Sequence, residues 1–276
     1  MTSRTSRTFT QRSIRGNMPA KSFDIPRVLR RGGKLNDVET SVQSTLKIIE
    51  LMYRKLDVPD FSKSHVLDMG CGWRMAKTLL DNNIPIAEYV GMDVFAEMVD
   101  FLQTNVSDPR FSFHTLNAHN EMYNPSGSPL LELTALNVPE ATFDIICLFS
   151  VFTHLAPHDY AAMLKLLRPY VHPEGKLIFS LFVNETTTSG LGFIDNVQSM
   201  WSKNLAGLEA HEDSFASQFK ENGTLDFIDF DPAQPLKWAI FSREYAIQLV
   251  EENGWKIESL NEPEEEIQHY MICTPA

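Results

Sequence analysis

Hydrophobic and polar positions along the chain follow two alternating periods. Val42, Leu46, Ile49, Met52, Tyr53 and Leu56 recur at helical spacing and predict an amphipathic helix over residues 37–56. Pro59 and the DFSKS run that follows end it. From there short apolar runs alternate with helical stretches. Residues 65–69, 88–93, 111–116, 143–150, 176–183, 255–260 and 269–274 read as strands, and residues 74–82, 95–105, 158–170 and 243–253 as helices. Continuous apolar strands separated by helices mean βαβ units in a mostly parallel sheet covered on both faces. The expected fold is therefore α/β, a Rossmann-like, doubly wound sheet of seven strands.

Two segments break the alternation. Residues 119–141 form an insertion before the fourth strand. Residues 184–240, between the fifth strand and the last helix, hold Phe193, Trp201, Phe215, Phe219, Phe227, Phe230 and Trp238 with little periodicity. So many aromatics suit either a lid over a pocket or an insert that buries a small core of its own. Residues 1–35 are polar and basic, with Pro26 and Gly32-Gly33 as breakers, and read as a disordered tail before a single domain over 36–276.

Composition adds limits. A 276-residue chain with 43% hydrophobic and 22% charged residues can bury a sizeable core. The net charge is −12, although Arg4, Arg7, Arg12, Arg15 and Lys21 precede any acidic residue, so the body is more acidic still. That balance argues against a nucleic-acid partner. Cys71, Cys147 and Cys273 show no CxxC pairing and suit free thiols in a reducing compartment. No apolar run reaches the ~18–20 residues of a membrane span. The N-terminal stretch lacks the apolar region of a secretory signal, so the expected location is cytoplasmic. Its Arg-, Ser- and Thr-rich, acid-free makeup leaves a mitochondrial transit peptide as the alternative.

The chemistry starts at VLDMGCGWRM, residues 66–75. An apolar strand ends in Asp68, a turn carries Gly70, Cys71 and Gly72, and a helix starts near Arg74. Glycine allows close approach of backbone to a ligand, and a helix N-terminus favours negative charge. A lone G-x-G is weak evidence. Asp93, ending the next strand within YVGMD, adds weight, because an acid there suits ribose hydroxyls; the competing role for it is to cap the following helix. Ligands of open α/β sheets lie beyond the carboxyl ends of the strands, which adds Asn117, Ala118 and the run from Ser150 to His154. No His/Asp/Glu spacing demands a metal.

These motifs together resemble the class I S-adenosylmethionine-dependent methyltransferases. VLDMGCG, YVGMDV, FSFHTLNAHNEMYNP and VPEATFDIICLFSVFTHL are similar to the family's first four motifs, and LLRPYVHPEGKLIFSLFV to the segment entering its fifth strand. NEMYNPSG, SVFTHL, Asn184-Glu185 and Gln268-His269 are similar to a bacterial-type subgroup acting on small molecules or glycans. The resemblance implies an antiparallel C-terminal strand and an insertion between strands five and six. It also implies S-adenosylmethionine as cofactor, with Asp68 on the methionine ammonium, Gly70, Cys71 and Gly72 passing close to the ligand, and Asp93 on the ribose. Val94 and Phe95 would meet the adenine face, Asn117 and Ala118 its edge, and Ser150 and Val151 the methionine side. The acceptor would be a small or sugar-like molecule, methylated at oxygen or nitrogen.

His154 is the first candidate for a general base, or else it anchors its loop by hydrogen bonds. Tyr123, His119 and Glu185 are weaker candidates, and His158 and Asp159 are expected to begin and cap the next helix. Trp73-Arg74 replaces the family's usual small residue, which keeps open a non-catalytic methyltransferase-like protein that binds cofactor or a partner. A nicotinamide-dependent oxidoreductase shares the strand–glycine–acid layout but needs the missing third glycine.

Overall fold

The computed structural model describes residues 22–30, 37–188, 190, 226–229, 238–264 and 267–276. Most of the expected lid, and residues 1–21 with the basic stretch, lie outside them.

Helix α1 (Val38–Leu56) starts where the Asp37 carboxylate accepts the Thr40 N–H at 2.8 Å, and ends at Asp57 in left-handed backbone, φ 55°. It buries Val42, Thr45, Ile49, Met52 and Leu56 on one stripe. Then come β1 (Phe61–Met69), α2 (Arg74–Asp81), β2 (Ile86–Asp93), α3 (Ala96–Asn105), β3 (Phe111–Thr115), β4 (Phe143–Leu148), α4 (Pro157–Leu167) and β5 (Val171–Val183). The chain closes with β6 (Phe227–Asp229), β7 (Ala239–Phe241), α5 (Arg243–Glu251), β8 (Trp255–Asn261) and β9 (His269–Pro275).

The sheet order is β3-β2-β1-β4-β5, with β1 parallel to both β2 and β4. β9 runs antiparallel to β5 and to β8, as the family resemblance implied. Among the described residues the sheet has nine strands, where the apolar runs predict seven. Of the extra pair, β6 lies inside the 184–240 insertion and β7 spans its end, extending the sheet parallel to β5 through Phe182↔Ile240 and Val183↔Phe241. β5 thus offers one edge to two partners in succession: β9 along Leu177–Leu181 and β7 at its end.

Strand alternation divides the core in two. Leu67, Met69, Val90, Met92, Ile146, Leu148, Phe179 and Leu181 belong to one apolar cluster with α4 and α5. Val66, Tyr89, Ile145, Cys147 and Ile178 belong to the other with α1, α2 and α3. Within the stretch set aside as a tail, Phe23, Ile25 and Leu29 are buried in this second cluster. The segment is pinned by Lys77 of α2, whose Nζ donates to the Phe23 carbonyl at 2.6 Å and pairs with Asp81 at 2.9 Å. Asp81 in turn accepts from the Ser22 N–H and hydroxyl.

All three cysteines are free and buried. No helix among the described residues is long and apolar enough to cross a membrane. One expectation is corrected: His158 and Asp159 do not cap α4. Both fall in its first turn behind Pro157, and the capping position is Ala156, which has no side chain to offer.

Candidate functional site

The turn after β1 is built by two left-handed glycines. Gly70 has φ +74° and Gly72 φ +47°, values that strain any residue with a Cβ. A Cβ on Gly70 would stand 2.4 Å from Val151 Cγ2, whereas one on Gly72 would meet nothing within 4 Å. Gly72 therefore borders open space, and Gly70 is where the β1 turn and the β4 exit touch.

The N–H groups of this turn are already used. Gly70 and Cys71 both donate to the Met92 carbonyl, at 2.7 and 3.0 Å, and Gly72 donates to Asp93 Oδ2 at 2.8 Å. A loop whose amides point into β2 is not a phosphate nest. It suits a ligand held by its nucleoside and amino-acid groups. That weighs further against a dinucleotide, whose pyrophosphate needs such amides.

Asp93 is not the cap of α3, whose N-cap position is Phe95 with no side-chain cap hydrogen bond. Its Oδ1 accepts the Phe95 N–H at 3.0 Å, an Asx-type turn leading into α3, while Oδ2 braces Gly72. Burial raises its pKa, against the pull of the backbone hydrogen bonds from Phe95, Gly72 and Val94. Each carboxylate oxygen has two acceptor sites, so capacity remains for ribose hydroxyls.

Asp68 lies deeper, 5% exposed. The Tyr89 hydroxyl donates to its Oδ2 at 2.6 Å and the Cys147 thiol lies 3.6 Å from its Oδ1. Burial pushes its pKa up to about 6, although both hydrogen bonds act to lower it. The same burial raises the Cys71 and Cys147 thiols and keeps them protonated.

After β2, Val94 is half-buried and Phe95 buried, with the Phe95 and Tyr123 ring centroids 5.5 Å apart. Tyr123 is held by a tight loop. Asn120 Oδ1 accepts the Met122 and Tyr123 N–H groups, Asn124 Nδ2 donates to the Ala118 carbonyl at 3.0 Å, and Asn117 accepts the Ser128 N–H at 3.1 Å. His119 is tied to the Pro125 carbonyl in the same loop.

After β4, Ser150 occupies left-handed backbone, φ 58°, without being glycine. Such backbone is costly and clusters at functional turns. The Ser150 N–H donates to Ser180 Oγ at 2.8 Å, and its hydroxyl meets Gln268 Nε2 at 3.0 Å. Val151 is half-buried, and His154 ends the following short helical turn with an exposed side chain. Glu185, just beyond β5, pairs with Arg243 at 2.5 Å and with His269 at 2.9 Å.

Asp68, residues 70–72 and 93–95, Asn117, Ala118 and residues 150–154 thus lie at the carboxyl ends of β1, β2, β3 and β4, while Glu185 follows β5 and His158 and Asp159 belong to α4. Trp73 does not disturb the turn: it is 3% exposed and joins the apolar cluster on the α1–α2 side. Sequence reasoning missed Tyr89, Gln268 as a partner of Ser150, Arg243 and Lys77. Tyr89 reads as an ordinary core residue of its strand, and the others meet their partners only in the fold.

A family model described as a methyltransferase domain matches residues 46–260. Among solved structures, 1,6-didemethyltoxoflavin-N1-methyltransferase from Burkholderia thailandensis, bound to 1,6-didemethyltoxoflavin and S-adenosylhomocysteine, is 16% identical, with a TM-score of 0.51 over 87% of this chain and 81% of that one. Magnesium protoporphyrin IX methyltransferase from Synechocystis, bound to S-adenosylhomocysteine, is 13% identical, with a TM-score of 0.49 over 91% and 92% of the two chains. At these identities the likeness is one of fold.

Proposed function

The chain belongs to the methyltransferase-domain family, within the class I S-adenosylmethionine-dependent enzymes, and on that premise we propose that it methylates oxygen or nitrogen of a small-molecule or sugar-like acceptor. The observation that carries the site assignment is the Asp93 brace. One carboxylate closes the glycine turn through Gly72 and accepts the Phe95 N–H ahead of α3, at the point where a nucleoside would meet the sheet.

Bound S-adenosylmethionine supplies a methyl group already activated as a sulfonium, so alignment accounts for most of the acceleration. Asp93 binds the ribose hydroxyls. Val94, Phe95 and Tyr123 hold the adenine face, and Asn117 and Ala118 its edge. Gly72, which faces open space, passes close beneath the ligand, with Gly70 and Cys71 completing the turn. Asp68 receives the ammonium of the methionine part, and Ser150 and Val151 line that side. His154, exposed beyond β4, takes the proton that the acceptor's hydroxyl or amine gives up and releases it to solvent.

Titration calorimetry with S-adenosylhomocysteine tests this reading directly. Binding by the native chain, with loss of affinity in Asp93→Ala, is the expected result. Absence of binding at millimolar ligand overturns it.

A further inference from the structure

Glu185 stands between two basic side chains. Arg243 Nη2, in the first turn of α5, lies 3.2 Å from its Oε1, and His269 Nε2 lies 2.9 Å from the same oxygen. His269 opens β9 opposite Leu181 of β5 and is 2% exposed. Its second ring nitrogen, Nδ1, is buried and has no hydrogen-bond partner. A buried polar atom left unpaired is rare and needs an explanation.

The chemistry of that atom follows from its neighbours. Burial lowers the imidazole pKa; Glu185 and Glu262 act against this, and Arg243 with it. The ring is therefore neutral around neutral pH and carries one proton. The Glu185 carboxylate can only accept, so the proton sits on Nε2 and Nδ1 presents a lone pair. The Arg243 guanidinium holds the carboxylate in place from the other side.

The position is as telling as the chemistry. β9 runs antiparallel to β5, so its first residue lies at the rim where β4 and β5 end. Gln268, one residue earlier, hydrogen-bonds the Ser150 hydroxyl at 3.0 Å. His269 thus follows directly on the residue that binds Ser150, at the β4–β5 end of the rim.

We propose that Nδ1 of His269, set by Glu185 and Arg243, is the acceptor-recognition site: it takes a hydrogen bond from an O–H or N–H of the methyl acceptor. The ligand class is a neutral hydrogen-bond donor. A carboxylate or phosphate group would face a lone pair backed by Glu185 and is disfavoured there. Nδ1 exposes almost no surface, so the acceptor engages it by displacing side chains packed around it. The proposal rests on the methyl-transfer reading for its biological meaning, but its test does not.

Histidine 15N spectra of the whole protein, with and without S-adenosylhomocysteine, report tautomer and hydrogen bonding directly, and His269→Gln assigns the resonance. The expected ring is neutral with its proton on Nε2. Phenol or methyl glucoside shifts the Nδ1 signal, and anisole, the donor-free counterpart of phenol, does not. His269→Gln keeps an amide N–H for Glu185, replaces Nδ1 by an amide oxygen and removes the ring resonance. It retains S-adenosylhomocysteine affinity within about threefold, and the response to phenol and methyl glucoside disappears with that resonance. A proton on Nδ1, silence toward both donor probes, an equal response to anisole, or loss of cofactor affinity in His269→Gln each overturns the proposal. If the native chain fails to bind S-adenosylhomocysteine, the methyl-transfer reading falls, while tautomer and probe response still decide this one.

Discussion

Gly72 donates its backbone N–H to the Asp93 carboxylate at 2.8 Å, across the gap between the β1 turn and the end of β2. The contact makes the shape of the glycine turn depend on an acid 21 residues away. Asp93→Ala therefore removes the brace together with the carboxylate proposed to hold the ribose. The backbone N–H groups of Gly72 and Phe95, among those it accepts from, lose their acceptor, at about 1–3 kcal/mol for each that stays buried. Asp93→Asn keeps one carbonyl oxygen and can satisfy one of them. Calorimetry with S-adenosylhomocysteine should show a loss of more than about tenfold for Ala and a smaller one for Asn. Equal affinity in the native and Ala proteins would place the ribose elsewhere.

Asp68 predicts a pH dependence with a definite sign. Its pKa is raised from 3.8 to about 6, chiefly by burial, so the fold without ligand favours the protonated carboxyl. The stability it contributes is complete below 3.8 and is lost as pH rises through about 6. A ligand ammonium beside it favours the ionised form instead. S-Adenosylhomocysteine affinity should therefore rise between about pH 5 and pH 7, with a proton released on binding in the lower half of that range. Calorimetry in buffers of different ionisation enthalpy measures that proton, and Asp68→Asn should abolish it. A flat affinity profile in the native protein would separate Asp68 from the ammonium.

The two glycines of the turn should respond differently to the same substitution. Both have positive φ, which costs an alanine about 1 kcal/mol or more. At Gly70 the new methyl also collides with Val151 Cγ2 at 2.4 Å. Gly70→Ala should be clearly destabilised in thermal melts, with partial recovery in the double variant that adds Val151→Ala. Gly72→Ala meets no protein atom within 4 Å; its melt should fall less than that of Gly70→Ala, by the backbone cost alone, while affinity for S-adenosylhomocysteine drops. A reversed ranking would mean that open space over the turn is not the ligand's.

What the sequence made legible was local or periodic. Strand ends, the glycine turn and Asp93 occupy neighbouring βα units, so their meeting follows from the parallel sheet alone. The partners it concealed are distant: Gln268 lies 118 residues from Ser150 and Arg243 58 from Glu185. β6 and β7 are three residues each, too short to show a period of two. β1 begins at Phe61, earlier than the apolar run at 65, because Phe61 pairs with Ile86 across a register shift despite the polar residues that follow it. Phe23, Ile25 and Leu29 are apolar islands in a basic stretch, and only their docking on α2 marks them as core.

His154 separates chemistry from binding. It is exposed on the turn after β4, and no residue of the Asp93 brace depends on it. His154→Ala should lower turnover about 10²-fold or more, while S-adenosylhomocysteine affinity stays within about threefold. An affinity loss as large as the turnover loss would make it a structural anchor of the loop instead.

Lys77 gives the most direct test of how the N-terminal segment is held. Its ammonium is 1% exposed, donates to the Phe23 carbonyl at 2.6 Å, pairs with Asp81, and lies 5.0 Å from the Phe23 ring centroid. Lys77→Met preserves the apolar stem but leaves that carbonyl without its donor and Asp81 without its cation. A buried acceptor so stranded costs about 1–3 kcal/mol, and the Asp81 contacts to Ser22 lose their backing. The expected result is a lower melting temperature together with faster proteolysis ahead of α1. Asp81→Asn should be milder, because its amide oxygen still accepts from Ser22 and Lys77 keeps the Phe23 carbonyl. If Lys77→Met melts like the native chain and resists protease equally, the segment is held by Phe23, Ile25 and Leu29 alone.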